Sequence, residues 1–127
     1  MSDPFRFFVY GLLMSGGTGF RALGLEGRVR SHGTETITGR LYHLGHYPGL
    51  VLGGQGIVQG ELFTFDDPHL VDELDAYELV DPDHPSRSEY RRVEVELLGS
   101  GESAWAYEYN RSTRHRPIIA TGNWRTR

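Results

Sequence analysis

"DDPHLVDELDAYE", residues 66–78, carries a complete helix signature in a 127-residue chain that otherwise reads as strands and turns. Asp67 suits the N-cap, because its side chain can take up an orphan amide, and Pro68 suits the first turn. Leu70, Val71, Leu74 and Tyr77 then recur at helical spacing. A shorter helix is expected from Phe20 to Gly24. Around these, Phe5 to Leu13, Ile37 to Leu44, Gly56 to Phe65, Glu89 to Leu98 and Ser103 to Tyr109 read as strands, with Gly60 as a bend or bulge. Seventeen glycines, about twice ordinary usage, favour strands joined by tight bends. Antiparallel strands with one embedded helix predict an α+β fold, a small barrel, as a single domain over 1–127.

Composition narrows the function. A formal net charge of -4 gives no global attraction to nucleic acid. The local basic cluster of Arg111, Arg114, His115 and Arg116 is short, and leaves an interaction domain as one alternative. The chain has no cysteine, so disulfides, thiol nucleophiles and cysteine-rich zinc sites are excluded. His43 and His46 sit close together, but no HExxH spacing appears, and no metal is expected. Phe7 to Met14 is short for a signal-peptide core, follows Asp3 and Arg6, and lacks a cleavage pattern. No run approaches the ~18 apolar residues of a membrane helix. A cytoplasmic protein without a membrane partner is expected.

The helix carries one acid on its apolar side. At ~100° per residue, with Leu70 at zero, Leu74 falls near 40°, Val71 near 100° and Glu78 near 80°. Asp72, Glu73 and Asp75 lie at or beyond the edges of the stripe. A carboxylate turned inward loses hydration, its pKa rises, and it becomes suited to acid-base work near neutrality. The alternative is a helix-end Glu that curls into solvent or pairs with Arg91 or Arg92. Glu61, alternating with Ile57, Phe63 and Phe65, is a rival inward-facing acid. The loop that follows the helix, Leu79 to Ser88, is polar, contains two prolines and can border a site.

The glycine-rich stretch "VYGLLMSGG", residues 9–17, raises the question of a phosphate loop. Counted from Gly11, a Walker-type loop would place lysine where Gly17 stands. Gly17, Gly19 and Ala22 fit G-x-G-x-x-A, but six residues separate them from the strand and no parallel βαβ unit follows. The nucleotide reading fails on both counts. Tyr10-Gly11-Leu12-Leu13 leaves a strand at a glycine, where successive amides can converge on a carboxylate, or simply turn.

Taken in order, strand-Tyr-Gly-x-Leu, "GRLYHLGHYPGLV", "VQGELFTF", "LDAYE", "YRRVEVE", "WAYEY" and the terminal "TGNW" resemble the gamma-glutamylcyclotransferase-like family, in its small bacterial, avirulence-induced-gene-like form. The resemblance implies a small mixed β-barrel with flanking α-helices, without metal, nucleotide or redox cofactor. It also implies a γ-glutamyl amine or amino acid as substrate, cyclised to 5-oxoproline with release of the amine. By the same resemblance, Glu78 is the acid-base catalyst, and Tyr10, Gly11, Leu12 and Leu13 form the loop that receives the substrate's α-carboxylate. Tyr90 and Tyr107 match two tyrosines near the family's pocket. The chain departs from the pattern where Leu79 replaces the usual glycine and Leu12 the usual Ser or Thr. Those departures motivate an alternative, a binding or regulatory module that keeps the pocket without turnover. Such a protein is expected to be a monomer or weak homodimer.

Overall fold

The computed structural model describes residues 4–81 and 83–127. Seven strands form one mixed sheet: β1 Phe5–Val9, β2 Arg30–Thr38, β3 Arg40–His43, β4 Pro48–Val51, β5 Ile57–Phe65, β6 Tyr90–Glu96 and β7 Ser103–Tyr109. Two helices accompany them, α1 Thr18–Ala22 and α2 Pro68–Tyr77. The strand order is β2-β5-β1-β7-β4-β3, with β6 joined to the remaining edge of β7. Asp67 caps α2 as expected, its Oδ1 accepting from the His69 amide at 2.9 Å, and Leu70, Val71 and Leu74 are buried beneath it. Among the described residues no helix is long and apolar enough to cross a membrane.

The sheet does not close into the expected barrel. β1 pairs in parallel with β7 through Phe7 and Trp105, and β4 takes up the same strand further along, through Leu50 and Glu108. Between them the ladder forks. The Tyr10 ring plugs the fork: its hydroxyl donates to the Tyr107 carbonyl at 2.5 Å and accepts from the Leu50 amide at 3.2 Å. At the opposite margin, β3 is covered by the C-terminal segment, where His43 N donates to Pro117 O and Ile119 N to Leu41 O. Covering an edge with a loop satisfies its amides without another strand. Just beyond β6, the Leu98 amide donates to the Thr36 carbonyl of β2 at 2.9 Å.

Several strand boundaries differ from the sequence reading, each for a local reason. The first strand stops at Val9, not Leu13, because the chain turns at Gly11, where a Cβ would stand 2.7 Å from Pro48 Cγ. The segment from Ile37 to Leu44 is two strands, broken at Gly39. The rest of β2 is mostly exposed and polar, so it shows no alternation, and β4, buried at three of its four residues, is short and begins Pro-Gly. The expected bulge at Gly60 is absent; the register irregularity lies in β2, between Ser31 and Thr34. Gly60 is required because the Phe8 ring packs on it, with Cζ 2.6 Å from where a Cβ would be.

Candidate active site

The last turn of α2 determines where Glu78 sits. Leu79 N bonds Ala76 O at 3.2 Å and Val80 N bonds Asp75 O at 3.0 Å, the paired reversed bonds of a Schellman ending. Glu78 is therefore the C-cap, and Leu79 takes the left-handed position that follows, at φ 56°. Glycine normally fills that position because a Cβ crowds the backbone there. Leu79 holds the helix ending nonetheless.

A cavity of about 320 Å³ opens at the fork in the sheet. Its walls include every candidate site residue of the sequence reading: Tyr10, Gly11, Leu12, Leu13, Glu78, Tyr90 and Tyr107. Tyr47, Pro48, Tyr77 and Glu89 also line it and were not anticipated. The Glu78 carboxyl takes no hydrogen bond and no ion pair among the described residues. Arg91 and Arg92, its conceivable partners, are engaged elsewhere, Arg91 with Glu108 at 2.7 Å and Arg92 with Asp75 at 3.1 Å. Burial, followed by the charge of Glu89, pushes the Glu78 pKa from its ordinary value up to about 8.

Four of the lining tyrosines, Tyr10, Tyr47, Tyr90 and Tyr107, are walls whose hydroxyl protons are committed. Tyr90 donates to the Pro48 carbonyl at 2.7 Å, and Tyr107 donates to Asp75 Oδ1 at 2.6 Å. Burial raises the pKa of both, helped at Tyr107 by that bond to Asp75. Tyr47 donates to Glu89 Oε1 at 2.6 Å, which with partial burial carries its pKa to about 12. In the same cavity lining, the amides of Gly11, Leu12 and Leu13 find no acceptor among the described residues, whereas the Leu12 carbonyl accepts from the Gly19 and Phe20 amides. Three successive amides without acceptors at a cavity wall can receive a carboxylate.

Glu61, the rival acid, lies on the far side of the same loop. Its carboxylate accepts from the Ser15 amide at 2.8 Å, the Ser15 hydroxyl at 2.5 Å and the Ser31 hydroxyl at 2.6 Å. Burial alone would raise its pKa, but these bonds and nearby Arg125 outweigh it and hold the group below its ordinary value. A second anchor, Arg125 to the Ser15 carbonyl, fastens the outer face of the loop. Among the described residues no three His, Asp or Glu side chains are placed to hold a metal ion. His43 instead packs against Trp124, with ring centroids 5.1 Å apart.

A family model described as gamma-glutamyl cyclotransferase, AIG2-like, matches residues 7–126. The chain belongs to that family. A gamma-glutamylcyclotransferase family protein, ytfP, of Citrobacter rodentium is 39% identical over 85 residues, 67% of this chain and 66% of that protein. The solution structure of ytfP from Escherichia coli superposes with a TM-score of 0.69 at 32% identity, covering 96% of this chain and 99% of that one. An uncharacterized protein from Pyrococcus horikoshii shares the fold, with a TM-score of 0.73 at 23% identity over 96% of this chain and 91% of that one.

Proposed function

We propose that the protein is a γ-glutamyl cyclotransferase that converts a small γ-glutamyl amide to 5-oxoproline and a free amine. The observation that carries this reading is the unpartnered Glu78 carboxyl, desolvated in a cavity that is also lined by Gly11, Leu12 and Leu13, whose amides find no acceptor among the described residues. Family membership supports the reaction class.

The chemistry needs one proton shuttle. A γ-glutamyl substrate carries an α-ammonium, which must lose a proton before its nitrogen can attack. With its α-carboxylate on the amides of Gly11, Leu12 and Leu13, the α-nitrogen is held toward Glu78. The approaching ammonium favours the carboxylate form of Glu78, which then accepts the proton. The freed amine attacks the side-chain carbonyl carbon and forms the new ring C–N bond. As the tetrahedral intermediate collapses, the original amide C–N bond breaks and Glu78 returns its proton to the departing nitrogen; the ring nitrogen gives up its second proton to the released amine, which leaves as an ammonium ion. The reaction is intramolecular, so folding the substrate between loop and helix supplies much of the acceleration.

The test is to incubate purified protein with a panel of γ-glutamyl amides and quantify both products. Equimolar 5-oxoproline and amine are expected from at least one member. Ligand-dependent rises in melting temperature with no product from any member would instead establish a binding module.

A further inference from the structure

The cavity has a floor and a mouth with different chemistry. Phe8, Tyr10, Tyr90 and Tyr107 are buried at the floor. At the mouth, Leu79 is 60% exposed, and Glu89 and Tyr47 are half-buried. Leu79 and Glu89 meet there, because the Glu89 amide donates to the Leu79 carbonyl at 3.2 Å and closes the base of the intervening loop. An apolar side chain thus stands beside an acid at the rim. Tyr47 holds one Glu89 oxygen, Oε1; the other, Oε2, takes no protein donor among the described residues.

Charge counting makes the rim informative. The residues lining the cavity include two acids, Glu78 and Glu89, and no Lys, Arg or His. A γ-glutamyl group is a zwitterion, so it brings one positive and one negative charge. Its carboxylate is accommodated by neutral amides and its ammonium is used by Glu78. The charge of Glu89 is then left without a partner. Arg116 lies close enough to Tyr47 to oppose its pKa rise, yet it is exposed, does not line the cavity and makes no ion pair with Glu89 among the described residues.

Resting on the cyclotransferase reading, we propose that the leaving half of the substrate is an aliphatic amine bearing a second, positive charge, with its chain along Leu79 and its ammonium on Glu89 Oε2. A leaving amino acid would instead place a carboxylate against a rim that already carries an acid, which is disfavoured. Leu79 serves this site better than the glycine it replaces, because glycine would offer the aliphatic chain nothing to pack on.

Three substrates of matched length decide the matter: the γ-glutamyl amides of pentylamine, diaminobutane and aminobutyrate, ending in methyl, ammonium and carboxylate. In the wild-type protein kcat/KM for 5-oxoproline release should fall in the order ammonium, methyl, carboxylate. At least about tenfold should separate the first two, the size of one partly desolvated charge pair. In E89Q the ammonium and methyl substrates should converge to within about twofold, since the ratio cancels any general effect on Glu78. Equal or reversed preference in the wild type, or an order that survives E89Q, overturns the assignment. The same substrates titrated calorimetrically into E78Q, and into E78Q/E89Q, read the preference without turnover. Should no substrate yield 5-oxoproline while that binding order holds and is lost with Glu89, the reaction falls and the cation site stands. Binding without preference for the ammonium removes the site.

Discussion

Glu78 and Glu61 flank the same glycine-rich loop and share half-buried positions, yet their chemistry is opposite. Glu61 is saturated by the Ser15 amide and by the Ser15 and Ser31 hydroxyls, and it stays ionised. Glu78 has no such donors and its pKa is driven up to about 8. Burial acts on both in the same direction, more strongly at Glu78, and only Glu61 has the hydrogen bonds that reverse it. A satisfied carboxylate fastens structure, and an unsatisfied one at a cavity is available to move protons. The loop between them has a matching polarity, with its outer face tied down by Glu61 and Arg125 and its inner amides open to the cavity.

Substitutions at the two acids should therefore have different signatures. E78Q keeps the shape but cannot shuttle a proton, so kcat for 5-oxoproline release should fall by about 10²–10⁴-fold, measured in the product assay. The same variant should change the pH dependence of stability. Because the folded state raises the Glu78 pKa, it prefers the protonated form; that contribution is complete at low pH and is lost as pH rises through about 8. Denaturant titrations should thus find E78Q about 2 kcal/mol or more ahead of the wild type at pH 9, and close to it near pH 5. E61Q should cost about 1 kcal/mol, by loosening the loop, and should raise KM more than it lowers kcat. If E61Q abolished kcat while E78Q left it intact, the two roles would be exchanged.

Smaller effects are expected at the supports. Y107F removes the bond to Asp75 from a buried wall and should destabilise the protein by about 1 kcal/mol in a urea titration. L79G relieves the left-handed backbone at φ 56° and should shift stability upward by about 0.5–1 kcal/mol, offset in part by the greater freedom of unfolded glycine.

Much of this arrangement was legible in the sequence where local periodicity governs it. The helical wheel places Glu78 inside the stripe of Leu74 and Val71, and the cap residues Asp67 and Pro68 fix the register that makes the wheel valid. Gly17 stands where a phosphate loop would carry lysine, which is likewise a local feature of the sequence. What periodicity does not encode is which distant segments meet. Tyr47 and Glu89 converge because β4 takes over from β1 along β7, and β4 gives no alternating pattern to read. Asp75, at the edge of the wheel, finds Tyr107 and Arg92 only through the placement of α2 against β6 and β7. The barrel expectation failed for a similar reason, since the fork at Tyr10 and the C-terminal cover on β3 are tertiary choices.

The acid limb of kcat/KM for 5-oxoproline release, followed from pH 4 to pH 10, tests the role of Glu78 most directly, because it reports the essential base of the free enzyme. A rise through half-maximum near pH 8, the value at which Glu78 loses its proton, is the expected result. An acid limb near that of an ordinary carboxyl, at about pH 4–5, would contradict it and assign the proton transfer to a solvated acid.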